Sequence, residues 1–374
     1  MSGKGPVVVA AGGTGGHLFP AAALSHVLAA RGFAVHLVTD ERAVKYGGDF
    51  PADAVHKVAA ATPSGGSLFA RAQAVLTLIR GTFSARRLFK QISPRAVIGF
   101  GGYPTVPPVL AAAQLGLPTL LHEGNAVIGR ANRFLAGRVD AIAKGFEMLG
   151  GIPERMAVKT HLTGNPVRPM VLEAARIPFP DAADGRLRVL VTGGSQGAKI
   201  FSDIVPAAIE LLPEATRQKL VMTQQARDED EERVREAYRR LGVEAEIRPF
   251  FPDLPGRMAN AHLVIARAGA STVSELAVIG RPAILVPLPH ALDQDQAANA
   301  KQFAATGAGI VVVQSVFSPQ WLAHSLLELQ ADRAALAKRA EAARSAGIPD
   351  AAERLAELVQ GLVMKRDKVH AAAG

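Results

Sequence analysis

Val7-Val8-Val9-Ala10-Ala11-Gly12-Gly13-Thr14-Gly15-Gly16-His17 and, half a chain later, Val189-Leu190-Val191-Thr192-Gly193-Gly194-Ser195-Gln196-Gly197-Ala198 are built alike. In each, a short apolar run rich in β-branched residues leads through a glycine-rich turn into a helix-like pattern. A strand that feeds a helix through glycines lets the backbone come close to a phosphate and aims free helix N–H groups at it. One such turn points to a nucleotide site. Two in one chain point to two similar domains facing one another, with a substrate on each side.

Outward from these turns, strand-like and helix-like runs alternate, the pattern of parallel sheets flanked by helices. Further strands are expected at Ala34–Thr39, Ala96–Gly99, Pro118–His122 and Asp140–Ala143, then at Lys219–Thr223, Ala245–Pro249, His262–Ala266 and Ala283–Val286. Helices are expected at Ala21–Arg31, Asp228–Leu241 and Ser271–Ile279. Asn165-Pro166 and Arg168-Pro169 disfavour helix and mark a hinge. The expected division is an N-terminal domain over 1–164, a C-terminal domain over 165–345, and a terminal helix over 346–374 that packs back on the first domain.

The 374 residues suffice for two ordinary cores, and a 49% hydrophobic, 20% charged composition is that of a globular protein. With no cysteine, a disulfide framework, a cysteine nucleophile and a thiolate metal site are excluded. The start of the chain lacks the pattern of a signal peptide, and no uninterrupted apolar run is long enough to span a membrane. A net charge of +9 calls for an anionic partner. With 5% aromatics and no nucleic-acid module, that partner is expected to be a membrane surface or a phosphorylated substrate.

The first turn is not a dinucleotide fingerprint, because Leu18 stands where G-x-G-x-x-G requires its third glycine. Nor is it a P-loop, since no Gly-Lys-Ser/Thr follows. Asp40, at the end of the second strand, therefore reads as a turn or cap residue. His17, just past the turn, can orient a phosphate or act as a base near neutral pH. A third glycine turn, Gly99-Phe100-Gly101-Gly102-Tyr103-Pro104-Thr105, follows the strand at 96–99 and belongs at the same sheet edge as the first. His122-Glu123-Gly124-Asn125 closes another strand there. Four strand ends with polar residues make that rim the expected site.

In the second half, Ala268-Gly269-Ala270-Ser271-Thr272-Val273-Ser274-Glu275 admits two readings. Ser271 or Thr272 caps the following helix with Glu275 completing a capping box, or Glu275 meets a ribose. Asp293 and Asp295 lack the partners of a metal set, and Gln296 is a candidate sugar contact. The acidic run Asp228–Glu232 reads as a solvated helix start favoured by the dipole. The stretch 67–92 carries Arg71, Arg80, Arg86, Arg87 and Lys90 among apolar residues and holds no acid at all. It is expected to dock on anionic lipid.

Taken in order, GGTGGHLFP (12–20), GFGGYPT (99–105), HEGN (122–125), GNPVR (164–168), GGSQGA (193–198) and AGASTVSE (268–275) resemble the MurG family of glycosyltransferases over nearly the whole chain. The resemblance implies α/β architecture of the GT-B kind, two Rossmann-like domains with parallel sheets facing across a cleft. It implies an inverting transfer of N-acetylglucosamine from UDP-N-acetylglucosamine to the muramoyl 4-hydroxyl of a lipid-linked muramoylpentapeptide. Ser195 would meet the donor diphosphate, Glu275 the ribose, and the Phe251 and Ala270, Ser271 and Thr272 regions the uracil. Gln296 and Asn125 would contact the sugar, and Arg168 would reach in from the linker, with Thr14, Gly15 and Gly16 adjoining the donor. Gly15, Gly16, His17, Gly101, Gly102 and Tyr103 would hold the acceptor diphosphate, His17 serving as base or acceptor orienter.

No cofactor and no metal are implied. The expected setting is the cytoplasmic face of the cell membrane, held peripherally by 67–92, with cell-wall and division proteins as partners and no nucleic acid. The chain departs from the family at Gly124, commonly glutamine, and at Asp295-Gln296, commonly paired glutamines. Rival readings are a UDP-sugar 2-epimerase-like enzyme and a non-catalytic UDP-sugar-binding subunit of a membrane complex.

Overall fold

Every strand ladder in the computed structural model, which describes residues 5–12, 15–40, 50–62, 67–181, 184–194, 197–289 and 294–373, is parallel. Two units result. The first comprises Met1–Arg168 with Pro349–Gly374, and the second Pro169–Ile348.

The first unit is a seven-stranded sheet built from β1 (Val7–Ala10), β2 (Val35–Thr39), β3 (Ala54–Lys57), β4 (Ala96–Gly99), β5 (Thr119–Glu123), β6 (Ala141–Lys144) and β7 (Thr160–Leu162). Their order is β3-β2-β1-β4-β5-β6-β7. β1 is buried throughout, as a central parallel strand with helices on both faces must be. Val7 and Val9 face the helix Gly15–Ala30, whose Leu24 and Leu28 share their core. Val8 faces the other way, into a core shared with Phe89 and Val109 of the helices Leu68–Ile92 and Val106–Gln114. The terminal helix Ala351–Ala373 contributes Leu355, Ala356, Val359 and Val363 to the core on the Val7 side.

The second unit has six strands: β8 (Leu187–Thr192), β9 (Leu220–Gln225), β10 (Glu244–Arg248), β11 (Leu263–Ala266), β12 (Ala283–Leu285) and β13 (Gly309–Val311). The order is β10-β9-β8-β11-β12-β13. One face, with Val189 and Val191, packs on Phe201, Val234 and Leu326 of the helices Lys199–Glu210, Asp228–Arg240 and Pro319–Ala331. Arg281, fully buried, donates to the carbonyls of Ala259, Ile279, Gly280, Ile177 and Pro178, tying two helix C-termini to the start of the unit. Carbonyls at helix ends carry partial negative charge, so this cation is solvated by backbone instead of by a carboxylate.

Both sheets reverse their strand order beside the first strand, between β1 and β4 and between β8 and β11. That switch point opens a crevice at the carboxyl ends of the strands. Three expectations need correction. The helix expected at Ala21–Arg31 begins at Gly15, so Gly15 and Gly16 are helical. The edge strands β3, β7 and β13 were not expected. Asp230 is buried between Arg227 and Arg233, not solvated, with Arg233 Nη2 2.8 Å from its Oδ1 and Arg227 Nη2 2.7 Å from its Oδ2.

Candidate functional site

In the first unit the turns after β1 and β4 meet around His17. Gly101 and Gly102 hold φ of +88° and +73°, a backbone conformation that L side chains rarely adopt. Their backbone lies against the imidazole. A Cβ added at Gly101 would lie 3.4 Å from His17 Cδ2 and Nε2, and one at Gly102 would lie 3.4 Å from Cε1. A Cβ at Gly12 would lie 2.9 Å from Pro104 Cβ and 3.0 Å from Asp40 Oδ1, so the first turn seats directly against the second and against β2. Burial holds the His17 pKa below the ordinary histidine value, opposed by a hydrogen bond with the Gly12 backbone. At neutral pH the ring is therefore uncharged and able to accept a proton.

His122 and Glu123, at the end of β5, form the floor beside this ring. His122 bonds the Gly164 carbonyl at 3.2 Å through Nε2, and burial takes its pKa down to about 4. Glu123 is buried, and burial raises its pKa, while the Gly129 and Asn125 N–H groups and the Asn132 amide oppose the rise. It thereby shapes the loop that carries Asn125, whose own amide also donates to Glu123 Oε1 at 3.4 Å. Asn132 Nδ2 bonds both Glu123 Oε2 and the His122 carbonyl, linking the following helix, Arg130–Leu135, to this floor. Gly124 leaves its space to Asn165, whose Nδ2 donates to the Gly124 carbonyl at 2.8 Å. Tyr103 opens a 3₁₀ turn over 103–105, and Arg168 lies on the ring of Phe19 in the first helix. Thr14 lies outside the described residues.

In the second unit the turn after β8 has positive φ at Gly194 (+81°) and Gly197 (+67°). Gly193 admits no side chain, since a Cβ would come within 2.3 Å of the Ala198 nitrogen. Ser195, expected at the diphosphate, lies outside the described residues. After β11, the helix Ala270–Ile279 takes Gly269 as its N-cap, so Ser271 and Thr272 are helical residues and the capping-box reading fails. Glu275 is buried one turn further on. With Gly269 as cap, the N–H groups of Ala270, Ser271 and Thr272 belong to the open end of this helix.

Gln296 is held by its carbonyl oxygen, which accepts from Ala268 N at 3.3 Å and Leu288 N at 2.9 Å. That leaves its NH₂ as the group a sugar hydroxyl could receive. The ring of Phe251 is buried beneath Arg257, whose guanidinium carbon is 4.4 Å from the ring centroid, so residue 251 offers a ligand its backbone. The sequence reading missed Glu123 as the organiser of its loop, Asn132, and Gln225 beneath the second turn. Two consecutive glutamines ending an apolar strand were the available signal for the last. Among the described residues no cluster of three or more metal-ligating side chains exists.

Two Rossmann-like units, each with a glycine turn at its switch point, make a GT-B-type α/β fold. The glycosyltransferase family 28 N-terminal domain matches residues 7–144, and the family's C-terminal domain matches residues 188–355. The chain belongs to glycosyltransferase family 28. Within it the chain belongs to the MurG family, as two similarities show. The UDP-N-acetylglucosamine–N-acetylmuramyl-(pentapeptide) pyrophosphoryl-undecaprenol N-acetylglucosamine transferase of Brucella suis biovar 1 (strain 1330) is 54% identical over 367 residues, 97% of this chain and 96% of the relative. The crystal structure of Acinetobacter baumannii MurG aligns with a TM-score of 0.79 at 31% identity, covering 95% of this chain and 99% of that one. A UDP-GlcNAc 2-epimerase from Neisseria meningitidis, at 15% identity and a TM-score of 0.65 over 96% of this chain and 100% of its own, shares the fold.

Proposed function

We propose that this protein transfers N-acetylglucosamine from UDP-N-acetylglucosamine to the muramoyl 4-hydroxyl of undecaprenyl-diphospho-muramoylpentapeptide, with inversion at the sugar carbon. The observation that carries the reading is similarity of 54% identity along almost the entire length of transferases named for this reaction. The two glycine turns support it, because the reaction has two diphosphate substrates.

The turn at Gly193–Gly197 receives the donor diphosphate, Glu275 the ribose, the 250–251 backbone and the start of the helix at 270 the uracil, and Gln296 the sugar. The turn at Gly15–His17, with Gly101–Tyr103, receives the acceptor diphosphate. In the reaction the acceptor oxygen attacks C1 as the bond from C1 to the UDP oxygen breaks. The departing diphosphate gains negative charge, which helix N–H groups after Gly197 and the Arg168 guanidinium stabilise. Neutral His17 takes the acceptor's proton or orients the acceptor.

The lipid acceptor requires a membrane, and no helix among the described residues is long and apolar enough to cross one. The helix Leu68–Ile92 supplies contact instead. Phe69 (79% exposed) and Phe83 (67%) stand in solvent with Val75, Leu76 and Ile79, flanked by Arg71, Arg80, Arg87 and Lys90. Exposed apolar groups among unopposed cations suit an anionic bilayer interface. The protein thus works at the cytoplasmic face of the membrane without spanning it.

Incubation of the pure protein with radiolabelled UDP-N-acetylglucosamine and the lipid-linked acceptor tests the reading. Label extracted into the organic phase as disaccharide-lipid is the expected result. Epimerised nucleotide sugar without lipid product, or donor binding without turnover, would overturn it.

A further inference from the structure

Gln225, the last residue of β9, is 7% exposed and uses its whole hydrogen-bonding capacity, two lone pairs and two hydrogens. Its Oε1 accepts from the Thr192 hydroxyl and from Gly193 N–H, each at 3.0 Å. Its Nε2 donates to the carbonyls of Gly194 at 3.0 Å and Pro249 at 3.1 Å. Exchanging the amide's oxygen and nitrogen would set N–H against N–H at Gly193, so this network fixes the orientation. Three of the bonds hold the turn after β8. The fourth reaches the segment after β10, just before Phe250 and Phe251.

The preceding Gln224 points to the opposite side of the strand, where it bonds the Tyr238 hydroxyl and the Phe201 carbonyl inside the core. Gln224 thus serves packing. Gln225 joins two loops that otherwise hang from different strands.

We propose that Gln225 is a positioning residue of the donor site, fixing the distance between the diphosphate turn and the loop at the nucleobase end. This rests on the donor reading given above. With every polar atom already engaged, Gln225 has nothing to offer a substrate directly. A ligand that spans both loops gains from having them held on one frame, because ordering them on binding would cost affinity. A ligand that touches only the base end gains little.

The test compares UDP with uridine on the full-length wild type, Gln225→Met and Thr192→Val, using calorimetry for UDP and competition NMR for uridine. Thermal unfolding checks that each variant is folded. Gln225→Met keeps the side-chain length and removes all four bonds. UDP affinity is expected to fall about tenfold or more, the equivalent of one or two net hydrogen bonds, with uridine changed less than about threefold. Thr192→Val loses the bond to Gln225 and the 3.3 Å bond its hydroxyl accepts from Gly194 N, and leaves the Pro249 bond intact, so it should show a smaller drop of the same kind. It also carries the test if Gln225→Met does not fold. In turnover, the donor KM should rise while the lipid-acceptor KM stays put. Equal losses for UDP and uridine, or no change in their ratio in a folded variant, would overturn the inference. Failure of the wild type to bind UDP would overturn the donor reading itself, a distinguishable result.

Discussion

The Arg168 guanidinium carbon lies 4.6 Å from the ring centroid of Phe19, so the arginine that ends the first unit rests on the first helix, two residues past His17. Phe19 is partly exposed, where such a cation–π contact is worth about 0.5–1 kcal/mol. Phe19→Leu keeps an apolar platform and loses the ring. The donor KM should rise about twofold to fivefold as Arg168 loses its resting place, with the melting temperature nearly unchanged. An unchanged or lower KM would remove the Phe19 contact from donor binding. Steady-state kinetics on the purified variant decides.

His122 makes stability depend on pH in a defined direction. Burial lowers its folded pKa to about 4, below the unfolded value of about 6.5. Between those values the unfolded chain binds a proton that the folded chain does not. Stability is therefore full above the unfolded pKa, declines as pH falls toward the folded one, and levels off below it. The loss is on the order of 3 kcal/mol across the window. Urea unfolding at pH 7, 6 and 5 should show the decline, and His122→Gln should make it shallower, leaving the part due to the other buried histidine, His17.

Gly101 separates backbone strain from displacement of His17. Gly101→Ala meets a φ of +88°, costing about 1–2 kcal/mol, and its methyl touches the imidazole and the Asn132 amide at 3.4 Å, so relief of the strain moves backbone that lies against His17. Gly32→Ala meets a similar φ of +80° with nothing within 4 Å. Both should lower the melting temperature. Only Gly101→Ala should lower kcat, by about tenfold or more, through a misplaced His17.

Half of the Gln296 amide is already committed. Gln296→Glu preserves acceptors for Ala268 N and Leu288 N and deletes the NH₂. UDP-N-acetylglucosamine should bind about tenfold more weakly, while UDP, which lacks the sugar, should lose less, only what the new carboxylate's repulsion of the diphosphate costs. Calorimetric titration with each nucleotide separates the two.

Replacing Phe69 and Phe83 together by serine removes two exposed rings from the helix at 68–92. Sedimentation with anionic phosphatidylglycerol vesicles should show binding weaker by about tenfold or more. Turnover on a short-chain, detergent-free acceptor should not change. Arg80→Gln with Arg87→Gln should instead reduce the salt dependence of vesicle binding.

The strands that sequence reading located are runs such as Val7–Ala10 and Leu263–Ala266, apolar because helices cover both faces. β3, β7 and β13 escaped notice because Ala54–Lys57 and Thr160–Leu162 mix polar with apolar residues at sheet edges, and Gly309–Val311 is only a short edge segment. The glycine turns were legible for a similar reason, since backbone conformation restricts residue choice locally. The role of Gln225 was not legible. It depends on β9 lying beside β8 and β10, and lateral neighbours are a property of the sheet, not of the local sequence. At Glu275 the local pattern left two readings open: Ser271, Thr272 and Glu275 have the look of a cap, yet the helix takes Gly269 as its cap, which removes that alternative.

The helix Ala351–Ala373 closes the core around Val7 and Val9, although the whole second unit separates it from them in sequence. During synthesis the ribosome therefore delivers the last wall of the first unit only after the second has emerged complete. The second unit is continuous in sequence and can finish folding first, while the first waits with Leu24, Leu28 and Val9 incompletely covered. The order of completion thus inverts the order of synthesis: the second unit closes first, and the first, begun earlier, closes last.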